Sequence, residues 1–401
     1  MIFVSYPIPT FLFNEEDSVI SDINKCFLFS SPEEPMLSRS DNSSPMIESG
    51  KGSGEQPNES RNFGPISASE ENRTLPFLLS PVGKDYLWGG NRLNDDFSKN
   101  IDLIPLAETW ECSTHPDGPS IVSTGPDQGK TLTEVLREHP EYIGTHPIRC
   151  ADGGIPVLVK LIDAKRDLSV QVHPDDAYAA SHENGALGKT EMWYIVDASK
   201  DAKLIYGFSR DMTLKRLKRS LEEGTVERYL QKVPVHKDDV FVMEPGTVHG
   251  IGEGIVLAEI QESSNLTYRL YDYNRVDKNG KKRELHIKKT LDVVNLKEST
   301  KPRQPIRVLN YKPGYASELL YRCRYFQVER VLINTERVRE MADFQTDESS
   351  FQILLCVDGC GVIFGEGSES WRIFKGDCFF VPAHSQRLKL HGQAQFLRVI
   401  C

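Results

Sequence analysis

The sequence lacks the marks of a disulfide-stabilised protein and of a nucleic-acid-binding protein. Its 8 cysteines in 401 residues include no CxxC pair, and none lies at zinc-finger spacing from a histidine, which argues against a disulfide framework or a structural zinc cluster. The formal net charge is −10, whereas a nucleic-acid-binding surface normally shows a basic excess. We therefore expect reduced thiols and no nucleic-acid partner.

Long apolar runs are also missing. The N-terminal stretch MIFVSYPIPTFLF is apolar, but it has no basic segment before it, contains prolines and is too short to span a bilayer. Residues 1–73 are otherwise rich in Ser, Glu, Asn and Pro with little apolar periodicity, and we predict a disordered N-terminal tail there. These features predict a cytoplasmic protein without a membrane partner.

Short apolar runs separated by turn residues begin near residue 74. Strands are predicted at Ile155–Ile162, Met192–Val196, Leu204–Gly207, Val240–Met243 and Gly254–Gln261. Amphipathic helices are predicted at Thr131–His139 and Thr213–Lys232, each with a threonine that caps its first turn. Short strands with few helices predict a β-barrel decorated by helices, in a domain of residues 74–300.

A second group of strands follows a linker near Leu296–Pro305. These strands are predicted at Phe326–Ile333, Phe351–Val357, Gly361–Phe364, Cys378–Val381 and Ala394–Ile400, with turns at Asp358–Gly359 and Lys375–Asp377. His384 has no second ligand-type residue nearby, so we predict that this barrel, residues 301–401, binds no metal. The fold class is thus mainly β, with two barrels, a few helices and a disordered N-terminal tail.

Four polar residues interrupt otherwise strand-like segments: Gln171, His173, Glu191 and His249. A Q-x-H pair on a strand directs both side chains to one face, about 6.5 Å apart, because side chains alternate with a period of two. Each residue taken alone is more often a buried group with satisfied hydrogen bonds. Together they offer two imidazole nitrogens and two oxygens, a set that suits zinc or a similar divalent ion.

The motifs around these residues resemble those of a known family. They are LWGGNRL (Leu87–Leu93), AETWECS (Ala107–Ser113), VKLIDAKRDLSVQVHPDD (Val159–Asp176), GKTEMWYI (Gly188–Ile195) and PGTVHGIGEGIVLAEIQESSNLTYRLYDYNR (Pro245–Arg275). From about Pro76 to its end the chain is similar to the zinc-dependent cupin-type mannose-6-phosphate isomerases, most of all their shorter bacterial form. The resemblance implies two cupin (jelly-roll) barrels and one zinc ion bound by Gln171, His173, Glu191 and His249.

The resemblance also implies the reaction, which interconverts mannose 6-phosphate and fructose 6-phosphate through a metal-stabilised enediolate. Lys189 shares strand parity with Glu191, and Lys160 lies within an apolar strand, so both are candidates for binding the substrate phosphate. Arg269 matches a family arginine near the reacting carbons. The alternative is that these three cations form surface pairs.

The sequence does not single out the proton-transfer base. The possible wall residues are Glu108, Glu111, Asp176, Trp193, Glu253, Glu259 and the tyrosines of Tyr268–Tyr273. Two other functions stay open, a non-catalytic cupin that binds sugar phosphates and an iron cupin oxygenase. Gln171 argues against the oxygenase, since such sites use histidines and a carboxylate. The full ligand set with Arg269 argues against the binding protein, and the oligomeric state is left open.

Overall fold

The structure is a computed structural model that describes residues 73–148, 150, 152–276, 280–300, 302, 304, 306–338 and 340–401. These residues belong to one unit, Ala68–Cys401. The tail predicted at residues 1–73 lies outside the described residues, apart from Arg73. In the described part of the chain, no helix has the length and apolar character needed to cross a bilayer.

Antiparallel strands make up most of the regular structure. In the described residues they are β1 (Phe77–Ser80), β2 (Val82–Lys84), β3 (Glu108–Cys112), β4 (Ile121–Val122), β5 (Val157–Ala164), β6 (Val170–Val172), β7 (Glu191–Ala198), β8 (Lys203–Phe208), β9 (Leu230–Pro234), β10 (Val240–Met243), β11 (His249–Gly250), β12 (Ile255–Glu262), β13 (Tyr268–Tyr271), β14 (Asn310–Lys312), β15 (Tyr315–Arg322), β16 (Gln327–Asn334), β17 (Ala342–Phe344), β18 (Gln352–Phe364), β19 (Ser370–Phe374), β20 (Cys378–Val381) and β21 (Leu388–Ile400). The mainly β prediction is confirmed.

The strands form three sheets. A six-stranded sheet has the order β10-β7-β12-β5-β3-β2, and a five-stranded sheet has the order β13-β6-β11-β8-β9. A ten-stranded sheet follows β14-β15-β16-β21-β18-β20-β1-β4, with β17 paired to β21 and β19 paired to β18. Each order has two ends, so the hydrogen bonding among the described residues does not close any of these sheets on itself.

The helices are short and lie between strands. Among the described residues they are α1 (Arg92–Asp95), α2 (Leu132–Glu138), α3 (Asp176–His182), α4 (Leu214–Glu222) and α5 (Ile287–Val293), with 3-10 turns at Pro140–Ile143 and Val226–Tyr229. The predicted first helix is confirmed, and Thr131 and Glu134 form its capping box. The predicted second helix begins correctly after Thr213, but its extension to Lys232 is wrong. The chain turns at Gly224, where φ is +66°, passes through the 3-10 turn at Val226–Tyr229 and continues as β9.

One predicted turn is a bulge inside a strand. The Asp358–Gly359 pair lies within β18, which runs unbroken through the two strands predicted on either side of it. The register against β21 shifts between Cys356 and Asp358, so Val357 is the extra residue, and Gly359 follows at a φ of +78°. A glycine tolerates this left-handed conformation, so β18 bends there without reversing.

The two faces of the six-stranded sheet have different neighbours. Met192 and Tyr194 belong to a core cluster shared with residues of the ten-stranded sheet, such as Leu397. Trp193 and Leu257 point to the other face and pack in a separate cluster. Because side chains alternate along a strand, odd-numbered positions of β7 line the side away from the ten-stranded sheet.

Strand β1 lies in the predicted first domain, but it pairs with β20 of the predicted second domain. Residues of the predicted first domain therefore extend the ten-stranded sheet. Phe77 of β1 stacks on Phe380 of β20 with ring centroids 5.3 Å apart. The boundary near residue 300 stays a prediction.

The buried Glu262 carboxyl group at the end of β12 has the half-buried Asp176 as its neighbour. Glu262 accepts a hydrogen bond from the Thr190 N–H at 2.7 Å, and Asp176 accepts one from the Gly188 N–H at 2.8 Å and one from the Tyr325 hydroxyl. Burial and the neighbouring Asp176 raise the pKa of Glu262 to about 7. Burial alone would also raise the pKa of Asp176, but its hydrogen bonds to Tyr325 and Gly188 lower it.

We expect this raised pKa to make folding stability depend on pH. Between pH 4.5, the ordinary pKa of the group, and about 7, the folded protein keeps a proton that the unfolded chain has released, so stability falls as the pH rises. Glu262→Gln removes this term and should stabilise the protein by about 2–3 kcal/mol at pH 8, with little effect at pH 4.5. Urea unfolding at both pH values measures the free energy of unfolding, and Glu253→Gln, at an exposed position, is the control. The same pH dependence of stability in wild type and Glu262→Gln would contradict the prediction.

Candidate metal centre

Three strands bring the predicted ligand residues together. Gln171 lies in β6, His173 follows that strand directly, Glu191 begins β7 and His249 begins β11. Gln171 and His249 are direct neighbours in the β6–β11 register. The Gly246 N–H donates to the His173 carbonyl at 2.9 Å, so the predicted turn before His249 also fastens the two histidine segments to each other.

The ligand atoms form a compact, buried cluster. The His173 and His249 Nε2 atoms lie 3.1 Å apart. Glu191 Oε1 lies 3.2 Å from His249 Nε2, and Glu191 Oε2 lies 3.6 Å from His173 Nε2. The Gln171 amide nitrogen lies 3.4 Å from His249 Nε2, and a half-turn of the amide exchanges it for the oxygen. All four predicted ligands therefore meet at one point.

The hydrogen bonds of the two imidazoles fix where their protons lie. His173 Nδ1 is 2.7 Å from the Leu266 carbonyl and His249 Nδ1 is 2.8 Å from the Thr247 carbonyl. A carbonyl only accepts, so each Nδ1 carries the proton and each Nε2 presents a lone pair. Burial, then Lys189, lowers the pKa of His173 to about 3, and burial lowers that of His249. The two Nε2 atoms are 3.1 Å apart, and because both imidazoles are neutral and present lone pairs there, they cannot hydrogen-bond to each other.

The Glu191 carboxylate fits the same interpretation. It is fully buried. Its Oε2 pairs with the Lys189 ammonium at 2.8 Å, whereas its Oε1 faces His249 Nε2 at 3.2 Å and accepts no hydrogen bond from a described residue. Burial would raise its pKa, but Lys189 and His173 outweigh that and hold it well below its usual range. A buried carboxylate oxygen that faces an imidazole lone pair is unfavourable unless a cation lies between them. The donor set therefore fits a bound divalent metal ion.

A row of buried charges of alternating sign runs away from this cluster. Lys189 Nζ lies 2.8 Å from Glu191 Oε2 and 4.0 Å from Glu259 Oε2. Lys160 Nζ lies 2.9 Å from Glu259 Oε2 and 4.0 Å from Glu108 Oε2. Three carboxylates and two ammonium groups leave the row with one net negative charge, which a divalent ion would convert to one net positive charge.

The pairing keeps Lys160 charged although it is buried. Burial alone would lower its pKa, but Glu259 and Glu108 outweigh that effect and raise the pKa. Two indole groups hold the carboxylates in place, since Trp193 donates to Glu259 and Trp110 donates to Glu108, both at 3.0 Å. Lys160 and Lys189, both predicted from the sequence, therefore belong to one network with the candidate metal ligands.

Arg269 lies at the edge of the site. It is the register neighbour of Gln171 across the β13–β6 pair and is partly exposed. Its guanidinium donates to Ser169 Oγ at 3.2 Å and to the Glu284 carbonyl at 3.0 Å, both neutral acceptors. It forms no ion pair with a carboxylate of the described residues within 4.0 Å, so its charge is available to an anionic ligand.

The structure separates the other candidate wall residues. Glu111 points to the opposite face of β3, where it pairs with Lys99 at 2.6 Å, and Glu253 is exposed. Glu108 and Glu259 join the charge row, although the sequence did not distinguish them from the other carboxylates. Glu259 lies directly opposite both Lys160 and Trp193 in the sheet register. The alternation of side chains along the strands was therefore the one sequence feature that could have indicated Glu259.

Family models match both parts of the described chain. The model of the phosphomannose isomerase type I catalytic domain matches residues 77–189, and that of the mannose-6-phosphate isomerase cupin domain matches residues 317–401. A probable mannose-6-phosphate isomerase of Bacillus subtilis is 38% identical over 325 residues, covering 81% of this chain and 98% of the relative. A mannose-6-phosphate isomerase of Streptococcus mutans is 42% identical over 322 residues, covering 80% of this chain and 96% of the relative.

A solved structure shows the same architecture. The crystal structure of the mannose 6-phosphate isomerase from Bacillus subtilis matches with a TM-score of 0.74 at 34% identity, covering 81% of this chain and 99% of that chain. Together with the cupin-domain match, this similarity confirms the predicted cupin fold.

Proposed function

The chain belongs to the type I mannose-6-phosphate isomerases, and we propose how its buried site interconverts mannose 6-phosphate and fructose 6-phosphate. The sugar-binding and oxygenase alternatives are not favoured, because the relatives that match over most of the chain are isomerases. The observation that carries the proposal is the pair of imidazole lone pairs 3.1 Å apart beside a buried carboxylate oxygen, Glu191 Oε1, that accepts no hydrogen bond from a described residue.

We propose that the ion is zinc, one per chain, held by Gln171, His173, Glu191 and His249. Two imidazoles, an amide oxygen and a single carboxylate suit zinc and leave the centre with a net positive charge. When bound, the ion supplies Lewis-acid stabilisation of negative charge on sugar oxygens. Metal analysis of the purified chain, together with a coupled assay on mannose 6-phosphate, tests this proposal. Turnover by protein shown to contain no divalent metal would contradict it.

The charge row accounts for the other requirement of the reaction. Isomerisation moves a proton between two neighbouring carbons, and negative charge develops on their oxygens. We propose that the ammonium groups of Lys160 and Lys189 donate hydrogen bonds to substrate oxygens. Glu259, which lies within 4.0 Å of both ammonium groups, holds them and carries protons within the site. From the sequence, both lysines were candidates for binding the substrate phosphate, and the split between kcat and KM distinguishes that role from the one proposed here.

We also propose that the reaction takes place in the cytoplasm, where it connects fructose 6-phosphate with the mannose phosphate used for GDP-mannose. Arg269 is proposed to act on the reacting end of the sugar phosphate. Its partial exposure and neutral hydrogen-bond partners support this role.

Lys160→Met is expected to lower both stability and turnover. The change leaves Glu259 and Glu108 buried without their shared cation, which costs about 3–5 kcal/mol of folding free energy. Adding Glu259→Gln should restore part of that stability, because it removes one uncompensated charge, but it should not restore turnover. Chemical denaturation and steady-state kinetics on both variants measure this. If the double variant regained kcat, Lys160 would have only a structural role.

A further inference from the structure

The two oxygens of Glu259 have different partners. Oε1 accepts a hydrogen bond from the Trp193 indole N–H at 3.0 Å. Oε2 lies 2.9 Å from the Lys160 ammonium and 4.0 Å from the Lys189 ammonium. One carboxylate thus serves a neutral donor with one oxygen and two cations with the other.

The indole of Trp193 is itself held firmly. It is fully buried, and Trp193 is the register partner of Glu259 across the β12–β7 pair. Its ring meets the His249 ring edge to face with centroids 5.5 Å apart. A buried ring between the carboxylate and a proposed metal ligand cannot turn away without disrupting the packing of both.

We propose that Trp193 is a positioning residue of the isomerase reaction, whose N–H occupies one oxygen of Glu259 and so directs the other to Lys160 and Lys189. This inference rests on the proposed role of the two lysines. Without the indole donor, the carboxylate is free to rotate and to share both oxygens with the ammonium groups, which draws them away from the substrate. Trp193 itself contacts no reacting atom in this arrangement.

The indole of Trp110, which also donates to a carboxylate of the charge row, does not divide that carboxylate as Trp193 divides Glu259. Trp110 donates to Glu108 Oε2 at 3.0 Å, and this same oxygen lies 4.0 Å from Lys160. The Trp110 N–H therefore shares an oxygen with the lysine and does not divide the carboxylate between two kinds of partner. A separation of the two oxygens by an indole N–H is seen at Glu259.

The test is a double-mutant cycle on the metal-loaded enzyme. Trp193→Phe removes the donor and keeps an aromatic ring, and we expect kcat to fall about tenfold with KM and metal content close to wild type. Glu259→Gln alone should lower kcat further. In the Glu259→Gln background, Trp193→Phe should cause no additional loss, because its effect passes through that carboxylate. Trp371→Phe, in strand β19 of the ten-stranded sheet, is the control for the substitution itself.

The outcomes separate positioning from packing. If the losses in kcat multiply in the double variant, Trp193 acts by packing and the inference fails. If Trp193→Phe retains full kcat, the inference fails. The proposed function is tested separately, by the metal content and turnover of the wild-type enzyme. Should Trp193→Phe fold poorly, a benzothiophene analogue of tryptophan at this position keeps the ring size without the N–H. Full kcat with this analogue also overturns the inference.

Discussion

His249→Ala is expected to remove bound metal and isomerase activity together. His249 Nε2 lies within 3.2 Å of both His173 Nε2 and Glu191 Oε1, so its loss removes the proposed ligand at the centre of the cluster. Changes to residues that merely support a ligand typically cost 10–100-fold in affinity or activity. For the ligand itself we expect kcat to fall by more than about 100-fold. Metal analysis and the coupled assay measure the two quantities on the same preparation.

Controls distinguish loss of the metal from loss of the fold. Glu191→Gln keeps the shape of the side chain and removes its charge, so metal content should fall with little change in secondary structure. His236→Ala changes an exposed histidine and should leave both quantities unchanged. Chelation of the wild-type protein should abolish activity, and added zinc should restore it. A metal-free His249→Ala preparation with full turnover would remove the metal from the mechanism.

Local sequence pattern predicted how two of the proposed ligands come to share one face of a strand, whereas the full set came from the family resemblance. Gln171 and His173 are two residues apart, and strand alternation alone directs them to one face. His249 follows a Pro-Gly turn, whose geometry also follows from the sequence. In these segments the predicted secondary structure is the one observed. The residues that the motifs identify therefore lie where strand alternation places them.

The charge row depends on contacts that local pattern does not contain. Lys160 and Glu259 meet across strands that are 99 residues apart in the sequence, and a register shifted by one residue would turn one of them to the opposite face. The sequence therefore indicated Lys160 as unusual but could not identify its partner. The end of α4 was missed for a related reason, because charged residues continue the helical pattern beyond Gly224 while the backbone turns there.

The position of Arg269 relative to the row indicates a separate task for it. Lys160 and Lys189 are buried and paired with carboxylates, so much of their charge is already balanced. Arg269 is partly exposed, and its guanidinium binds only neutral acceptors among the described residues. Burial and the nearby Arg283 lower its pKa, yet an arginine stays protonated at neutral pH. It therefore offers an unbalanced positive charge at the edge of the metal cluster.

Arg269→Ala is expected to lower kcat by about 100-fold, equivalent to about 3 kcal/mol of transition-state stabilisation, while metal content stays unchanged. The reason is that an unbalanced guanidinium stabilises charge that develops on the sugar during the reaction more than charge already present in the bound substrate. Arg269→Lys should recover only part of the loss, because an ammonium group lacks the planar fork of donors. Arg219→Ala, at an exposed arginine paired with Glu223 on α4, is the matched control. A change confined to KM would instead assign Arg269 to the phosphate, and unchanged kinetics would place it outside the active site.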